Sequence, residues 1–175
     1  MTVLDELAGY ARKRVESAKE KVPAEELKKQ AYSLPKGDFA FERALKKPGI
    51  SFICECKKAS PSKGLIAEDF PYLSIAREYE EAGADCISVL TEPSRFLGKD
   101  EYLKEIASTV SLPCLRKDFT VDEYMIYEAK ILGASAVLLI CSLLDEETLK
   151  TFIGIPDSLG LSATAQAPDA DEVRN

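Results

Sequence analysis

The chain has 175 residues, a net charge of −7 and an apolar content of 46%, values that are typical of a globular domain with a sizeable core. No basic stripe offsets the acidity, which argues against a nucleic-acid partner. No apolar run approaches the ~20 residues that a membrane span needs. The chain contains no histidine, which excludes catalytic triads built on Ser-His or Cys-His pairs. Acid–base chemistry must therefore come from Asp, Glu, Lys, Tyr or Cys.

Five cysteines lie at positions 54, 56, 86, 114 and 141, and four of them are inside or beside apolar runs. This placement favours reduced core thiols in a cytoplasmic protein, since the N-terminus also lacks the apolar region of a signal peptide. Cys54 and Cys56 are separated by one residue, which is not the spacing of a Cys-x-x-Cys metal site. We therefore expect no bound metal.

The first 48 residues predict a helical extension. Leu4, Leu7, Ala11 and Val15 recur at helical spacing, and Thr2 can cap a helix over 2–21. Two further helices are predicted, from Pro23 to about residue 34 and over 38–46. We expect residues 1–48 to form an N-terminal extension and residues 49–175 to form the second domain.

From residue 50 onward, short apolar runs alternate with amphipathic segments. Strands are predicted at 50–56, 85–91, 113–117, 135–141 and, more weakly, 161–166. Helices are predicted at 71–82, 100–109, 121–132 and 145–155. Thr120 and Glu123 fit a capping box for the helix at 121–132. Pro156 is expected to interrupt the last helix, ahead of the fifth strand. Such alternation indicates parallel βα units.

The segments 82–90 and 132–140 are similar and lie 50 positions apart, which is the length of two βα units. The similarity fits either an internal repeat or the helix–Gly–Ala–strand junction common in α/β proteins. A (β/α) TIM-type barrel is favoured over a doubly wound sheet, because no Gly-x-Gly-x-x-Gly follows a strand. A complete barrel typically takes about 250 residues. We therefore expect an incomplete barrel of about five βα units, whose open sheet edges are covered in a homo-oligomer or by a complementary half-barrel.

Charged side chains gather where the predicted strands end. Glu55 and Lys57 share one face of the first strand, and Lys117 ends the third, with Arg116 and Asp118 on the opposite face. Active sites of such barrels lie at these strand ends, so two lysines and a glutamate would meet around an anionic ligand. The alternatives are an ordinary ion pair beside a surface turn and a local surface pair between Lys117 and Asp118.

Three ordered segments resemble the indole-3-glycerol-phosphate synthase family of tryptophan biosynthesis. They are Glu55-x-Lys57-x-x-Ser60-Pro61-Ser62-x-Gly64, then Ser88-Val89-Leu90-Thr91-Glu92 followed by Phe96-x-Gly98, and then Lys117-Asp118-Phe119. The helical extension is also similar to that family's, and the resemblance covers roughly residues 1–155.

The resemblance implies a carboxy-lyase reaction without a cofactor. The anionic substrate, 1-(2-carboxyphenylamino)-1-deoxyribulose 5-phosphate, loses CO2 and water to give indole-3-glycerol phosphate. By the same resemblance, Lys117 would be the general acid that protonates the substrate's carbonyl oxygen. Lys57 would hold the anthranilate carboxylate, and Glu55 would take part in proton transfer during dehydration. The substrate-binding residues would be Ser60 at the phosphate, Phe96 against the aromatic ring, and Leu138.

The chain departs from the family near its fifth predicted strand. The family has a glutamate general base there, in a stretch such as Leu-Val-Glu-Ala-His-Asp, whereas this chain has Thr164-Ala165-Gln166-Ala167-Pro168-Asp169. A glutamine amide cannot accept a proton as a carboxylate does. The chain also ends before further strands and the phosphate-binding loops that usually follow strands seven and eight. We therefore expect the isolated chain to be inactive or severely impaired as a synthase.

Three interpretations follow from these patterns. The first is a truncated or altered member of the synthase family with a partial site. The second is a non-catalytic half-barrel module that associates through its open sheet edges. The third is another phosphosugar barrel enzyme, such as the isomerase of the same pathway, which the ordered set of Glu55, Lys57 and Lys117 disfavours.

Overall fold

The computed structural model describes residues 2–167. Pro168 and Asp169 of the stretch compared above, and the rest of the predicted barrel segment to residue 175, lie outside the described residues. Three helices precede the first strand: α1 (Val3–Lys21), α2 (Ala24–Ser33) and α3 (Ala40–Leu45). α1 begins where the sequence predicts, because Thr2 and Asp5 form a reciprocal capping box. The boundary of the extension near residue 48 stays a prediction.

The rest of the described chain alternates strands with helices. In chain order these are β1 (Ile53–Cys56), β2 (Ala59–Ser60), β3 (Gly64–Leu65), α4 (Tyr72–Glu81), β4 (Cys86–Leu90), α5 (Asp100–Thr109), β5 (Cys114–Lys117), α6 (Glu123–Ile131), β6 (Ala136–Ile140), α7 (Glu146–Leu159) and β7 (Ser162–Gln166). A single 3₁₀ turn, Cys141–Leu143, follows β6. No helix among the described residues is long and apolar enough to cross a membrane.

Five of the strands form one parallel sheet in the order β1-β4-β5-β6-β7. Each of these strands pairs in parallel with the strand of the next βα unit along the chain, as in a (β/α) barrel. The predicted fold class is therefore confirmed: an α/β, incomplete TIM-type barrel preceded by a helical extension. Within residues 2–167, β1 pairs only with β4 and β7 only with β6, so each leaves one edge of the sheet unpaired.

The first strand is shorter and more exposed than the sequence predicts. The apolar run over 50–56 predicted a strand, but β1 covers only Ile53–Cys56, and Phe52 and Ile53 are 59% and 48% exposed. The apolar run at 50–56 overestimates the burial of this strand, because β1 lies at an edge of the sheet. The short β2–β3 ribbon was not predicted, since two residues per strand are too few to show a pattern.

Two predicted helix ends also need correction. Asp122, not Thr120, caps α6: its carboxylate accepts a hydrogen bond from the backbone N–H of Tyr124 at 2.9 Å. Pro156 does not end α7, which continues to Leu159. Proline has no backbone N–H, so Pro156 cannot donate the usual helical hydrogen bond. The loss is tolerated because Pro156 is buried and lies within about one turn of the helix end, which Gly160 caps in the left-handed conformation with φ of 72°.

The segment that joins α2 to α3 is attached to the amino-terminal end of the barrel. Backbone N–H groups of Gly37 and Phe39 donate to the carbonyls of Leu159 and Gly160 at 2.9 and 3.1 Å. A Cβ on Gly37 would overlap the carbonyl oxygen of Gly160, so only glycine permits this approach. Phe41 of α3 packs against the inner face of the sheet and closes the floor beneath the strand ends.

Candidate active site

The carboxyl ends of the sheet strands surround a cleft of about 370 Å³. Six of the seven site residues that the sequence singled out line this cleft: Glu55, Lys57, Phe96, Lys117, Leu138 and Gln166. Its remaining walls are mostly apolar and are supplied by Leu4, Leu90, Asp118, Phe119, Ile140 and Ser142. A concave, largely apolar cleft with a few convergent charges is the usual form of a small-molecule site.

Glu55 lies between two lysine side chains. Its Oε1 accepts a hydrogen bond from Nζ of Lys57 at 2.6 Å, and its Oε2 lies 3.5 Å from Nζ of Lys117. The three side chains are between 29% and 36% exposed, so these ion pairs contribute little to stability and remain open to a ligand. Two ammonium groups around one carboxylate leave the cleft with a local positive charge, which favours an anionic ligand.

Asp118 points away from the cleft lysines into the layer between sheet and helices. Its carboxylate is 1% exposed and accepts hydrogen bonds from Nη1 and Nη2 of Arg14 at 3.1 and 2.6 Å. Thr91 Oγ1 and the backbone N–H of Phe119 donate to it at 2.7 and 2.8 Å. Burial raises the pKa of Asp118, but the guanidinium groups of Arg14 and Arg116 more than offset this, and the pKa lies below its usual value. The alternative of a surface pair between Lys117 and Asp118 is therefore wrong.

Arg116, the neighbour of Lys117 on β5, is held by a second set of buried contacts. Its guanidinium donates to Asp100 at 2.8 Å, to Glu128 at 2.7 Å and to the carbonyl oxygen of Met125 at 2.9 Å. These partners belong to the N-terminus of α5 and to α6, so they anchor the outward face of β5 to two helices. Because Arg116 and Asp118 flank Lys117, the backbone that carries Lys117 is fixed on both sides.

Gln166 and Ser60 lie in different surroundings. Gln166 ends β7, pairs in register with Ile140, and lines the same cleft as Glu55 and Lys117. Ser60 is buried in the β2–β3 ribbon, where its Oγ accepts a hydrogen bond from the backbone N–H of Lys63 at 3.2 Å. Ser60 is not among the residues that line the cleft, so its phosphate-binding role stays a prediction.

The extension contributes two residues to the site that sequence analysis did not single out. Leu4 of α1 lines the cleft, and Arg14 of α1 binds Asp118 behind it. Arg14 and Asp118 are 104 positions apart, so no local spacing links them. Leu4 was recognised only as part of the apolar face of the helix, a pattern that does not distinguish a core contact from a cleft wall.

A family model described as "Indole-3-glycerol phosphate synthase" matches residues 4–175 of the chain. The chain belongs to the indole-3-glycerol phosphate synthase family. It is 56% identical to the protein of that name from Ruminiclostridium cellulolyticum, over 99% of this chain and 67% of the relative. It is 46% identical to the one from Lachnoclostridium phytofermentans and 49% identical to the one from Endomicrobium trichonymphae, in each case over 98% of this chain.

The chain spans about two thirds of the length of these curated synthases, with coverage of 67%, 68% and 67% of the relatives. The resemblance drawn from the strand-end motifs is confirmed, and with it the assignment to a carboxy-lyase family of tryptophan biosynthesis. The match extends through the segment that contains Gln166, so the departure there lies within the family region of the chain.

Proposed function

We propose that this chain binds the anthranilate end of 1-(2-carboxyphenylamino)-1-deoxyribulose 5-phosphate and carries the lysine acid for its closure to indole-3-glycerol phosphate. The observation that carries the proposal is the convergence of Lys57 and Lys117 on Glu55 within one cleft. The ammonium groups suit an anionic substrate, and Phe96 offers an aromatic wall for its ring. The chemistry assigned to these side chains is proton transfer and needs no cofactor.

The proposed step joins the ring carbon that bears the carboxylate to the substrate's carbonyl carbon. Lys117 donates a proton to the carbonyl oxygen as this bond forms, which turns that oxygen into a hydroxyl. CO2 then leaves and its bonding electrons return to the ring. The hydroxyl next takes up a proton and departs as water, while the neighbouring CH2 group gives up a proton, so that the new ring gains its double bond. Glu55 takes part in that last proton transfer, a role supported by its 3.5 Å separation from Lys117. Lys57 holds the carboxylate before it is lost.

We further propose that product formation by this chain is impaired at Gln166, which occupies the position of the family's general base. The side chain lines the cleft, but its amide cannot take up a proton at neutral pH. A correctly placed general base typically contributes 10²–10⁴-fold to the rate. Gln166→Glu restores a carboxylate at this position and is therefore expected to increase product formation by about a hundredfold or more.

The experiment measures indole-3-glycerol phosphate formed by the unmodified chain, by Gln166→Glu and by Lys117→Ala. The unmodified chain is expected to match Lys117→Ala, and product above that control would contradict the proposed impairment. Substrate binding is followed separately by anthranilate fluorescence, which is readable because the chain has no tryptophan. Absence of binding to the unmodified chain would contradict the proposed function itself.

A second candidate function is association through the open edges of the sheet, as a homo-oligomer or with a complementary half-barrel. It is favoured by the edges of β1 and β7 that are unpaired within residues 2–167 and by a groove on the inner face of the sheet. That groove contains Ile53, which is 48% exposed, and the buried Oγ of Ser88, which has no hydrogen-bond partner among the described residues. Unpaired edges and exposed apolar side chains are the features that mark interaction surfaces.

Light scattering tests this second candidate. The unmodified chain is expected to form an oligomer, whereas Ile53→Lys, which places a charge on the open edge of β1, is expected to be monomeric. A monomeric unmodified chain would count against self-association.

We also propose a cytoplasmic location, which is supported by membership of a biosynthetic family and by buried free thiols.

A further inference from the structure

The loop that follows β4, residues 92–98, is folded around one buried carboxylate. Glu92 is 0% exposed. Its Oε1 accepts hydrogen bonds from the backbone N–H of Ser94 at 2.7 Å and from Ser94 Oγ. Its Oε2 accepts from the backbone N–H groups of Arg95 and Phe96 at 2.8 and 3.1 Å. The four donors all belong to the loop itself, so the carboxylate acts as an internal anion around which the loop is wrapped.

The backbone of this loop is closed and locally strained. The N–H of Gly98 donates to the carbonyl oxygen of Glu92 at 2.8 Å. Leu97 adopts a left-handed conformation with φ of 52°, which is sparsely populated for a residue with a Cβ. A Cβ on Gly98 would overlap the carbonyl group of Leu90. Such a conformation persists only where surrounding contacts impose it, and here the Glu92 carboxylate supplies three backbone contacts.

The side chains that leave the loop point to two neighbours. The ring of Phe96 lines the cleft, with its centroid 6.3 Å from that of Phe119. Arg95 binds Glu6 of α1 at 2.8 Å, so the loop is attached to the extension as well. Glu92 is not among the residues that line the cleft. Of the three residues that donate to the Glu92 carboxylate, Phe96 is the one that lines the cleft, so it is the direct link between Glu92 and a ligand there.

We propose that Glu92 is a positioning residue that sets Phe96 as the aromatic wall of the cleft and thereby gives the site its preference for ligands with an aromatic ring. The identity of that ligand rests on the proposed function above. Glu92→Gln keeps the size of the side chain but directs an NH2 group at backbone N–H donors, which leaves part of the loop unpaired. Phe96 is then no longer held in place.

The first measurement needs no ligand. Because the chain contains no tryptophan, Phe96→Trp introduces a single fluorescent reporter at the cleft wall. Adding Glu92→Gln to this variant is expected to increase acrylamide quenching and to accelerate the local anisotropy decay. Glu101→Gln, the same substitution at an exposed position of α5, is the matched control and is expected to change neither. Unchanged quenching in the Glu92→Gln variant would overturn the proposal.

The second measurement is a double-mutant cycle on the affinity for N-alkyl anthranilate. Glu92→Gln and Phe96→Ala are each expected to weaken binding roughly three- to tenfold, the value of one aromatic contact. Because both act through the same ring, the double variant is expected to lose no more than Phe96→Ala alone. Affinity for inorganic phosphate is expected to stay unchanged in Glu92→Gln. Additive losses, or an equal loss for phosphate, would show a general structural effect and refute the positioning role.

A milder variant covers the case in which Glu92→Gln does not fold. Ser94→Ala removes only the hydroxyl donor to the carboxylate and is expected to shift quenching in the same direction by a smaller amount. If the unmodified chain binds no anthranilate at all, the proposed function fails, while the tryptophan measurement still decides the role of Glu92. The two failures are therefore distinguishable.

Discussion

Arg14→Met tests whether the extension stabilises the strand that carries Lys117. The substitution keeps an unbranched apolar stem on α1 but removes both guanidinium hydrogen bonds to Asp118. The carboxylate stays buried at 1% exposure with two neutral donors, Thr91 Oγ1 and the N–H of Phe119. Removing one partner of a buried ion pair is costly because the other charge is left without compensation.

The expected loss of unfolding free energy is about 2–3 kcal/mol. Removing one partner of a fully buried pair typically costs about 3–5 kcal/mol. The estimate is lower here because Arg14 is 29% exposed and because Arg116 still attracts the carboxylate. In addition, the buried Nε of Arg14 has no hydrogen-bond partner within residues 2–167, which reduces the net contribution of the arginine to the free energy of unfolding. For a chain of this length the loss corresponds to a decrease in Tm of roughly 5–10 °C.

Urea unfolding at several pH values measures the loss and its origin. In the unmodified chain the pKa of Asp118 lies below the ordinary 3.8, so its contribution is present above that pH and is lost as the pH falls through the folded-state pKa. In Arg14→Met, the effect of burial on Asp118 dominates, and the pKa of Asp118 is expected to rise above 3.8. The charged carboxylate then destabilises the folded chain at neutral pH. The difference between the two proteins should therefore be largest near pH 7 and shrink on acidification.

Arg12→Met is the matched control, because Arg12 is exposed on the same helix. It is expected to change stability by less than about 0.5 kcal/mol. If Arg14→Met behaves like Arg12→Met at pH 7, Asp118 does not depend on Arg14 and the electrostatic argument is refuted. A loss that stays constant from pH 7 to below pH 3.8 would instead assign the effect to lost packing of the arginine stem.

The remaining predictions concern the amino-terminal end of the barrel and the thiols. Gly37→Ala is expected to destabilise the chain by about 2 kcal/mol or more in urea unfolding, because the new Cβ would overlap a backbone carbonyl. Gly9→Ala is expected to stabilise the chain by up to about 1 kcal/mol, because a Cβ at this position of α1 meets no other atom and alanine is the better helix former. Burial raises the pKa of the Cys56, Cys86 and Cys114 thiols to about 12, 11 and 12, so a thiol reagent at pH 8 should modify at most two cysteines in the folded chain and all five in urea. More than two modified thiols before unfolding would contradict the buried placement.

Much of the fold could be predicted because the βα units repeat a local pattern. β4, α5, β5 and β6 were predicted within one residue at each end, since each combines an apolar run with clear flanking residues. The errors occur where tertiary packing overrides the local signal. Pro156 stays within α7 because its side chain is buried, and β1 is exposed because of its place in the sheet order. Neither property is encoded in the residues nearby.

The two sides of β5 show why only part of the site could be predicted. Strand alternation places Lys117 toward the lumen with Glu55 and Asp118 toward the helices, so the cleft charges follow from spacing alone. The same alternation implies that a carboxylate at position 118 must be buried, and a buried carboxylate requires a cation. Which cation it is depends on how α1 packs across the barrel, and among the 23 lysines and arginines no sequence pattern selects Arg14. The inward face of β5 is thus determined by local geometry, whereas its outward face depends on the docking of the extension.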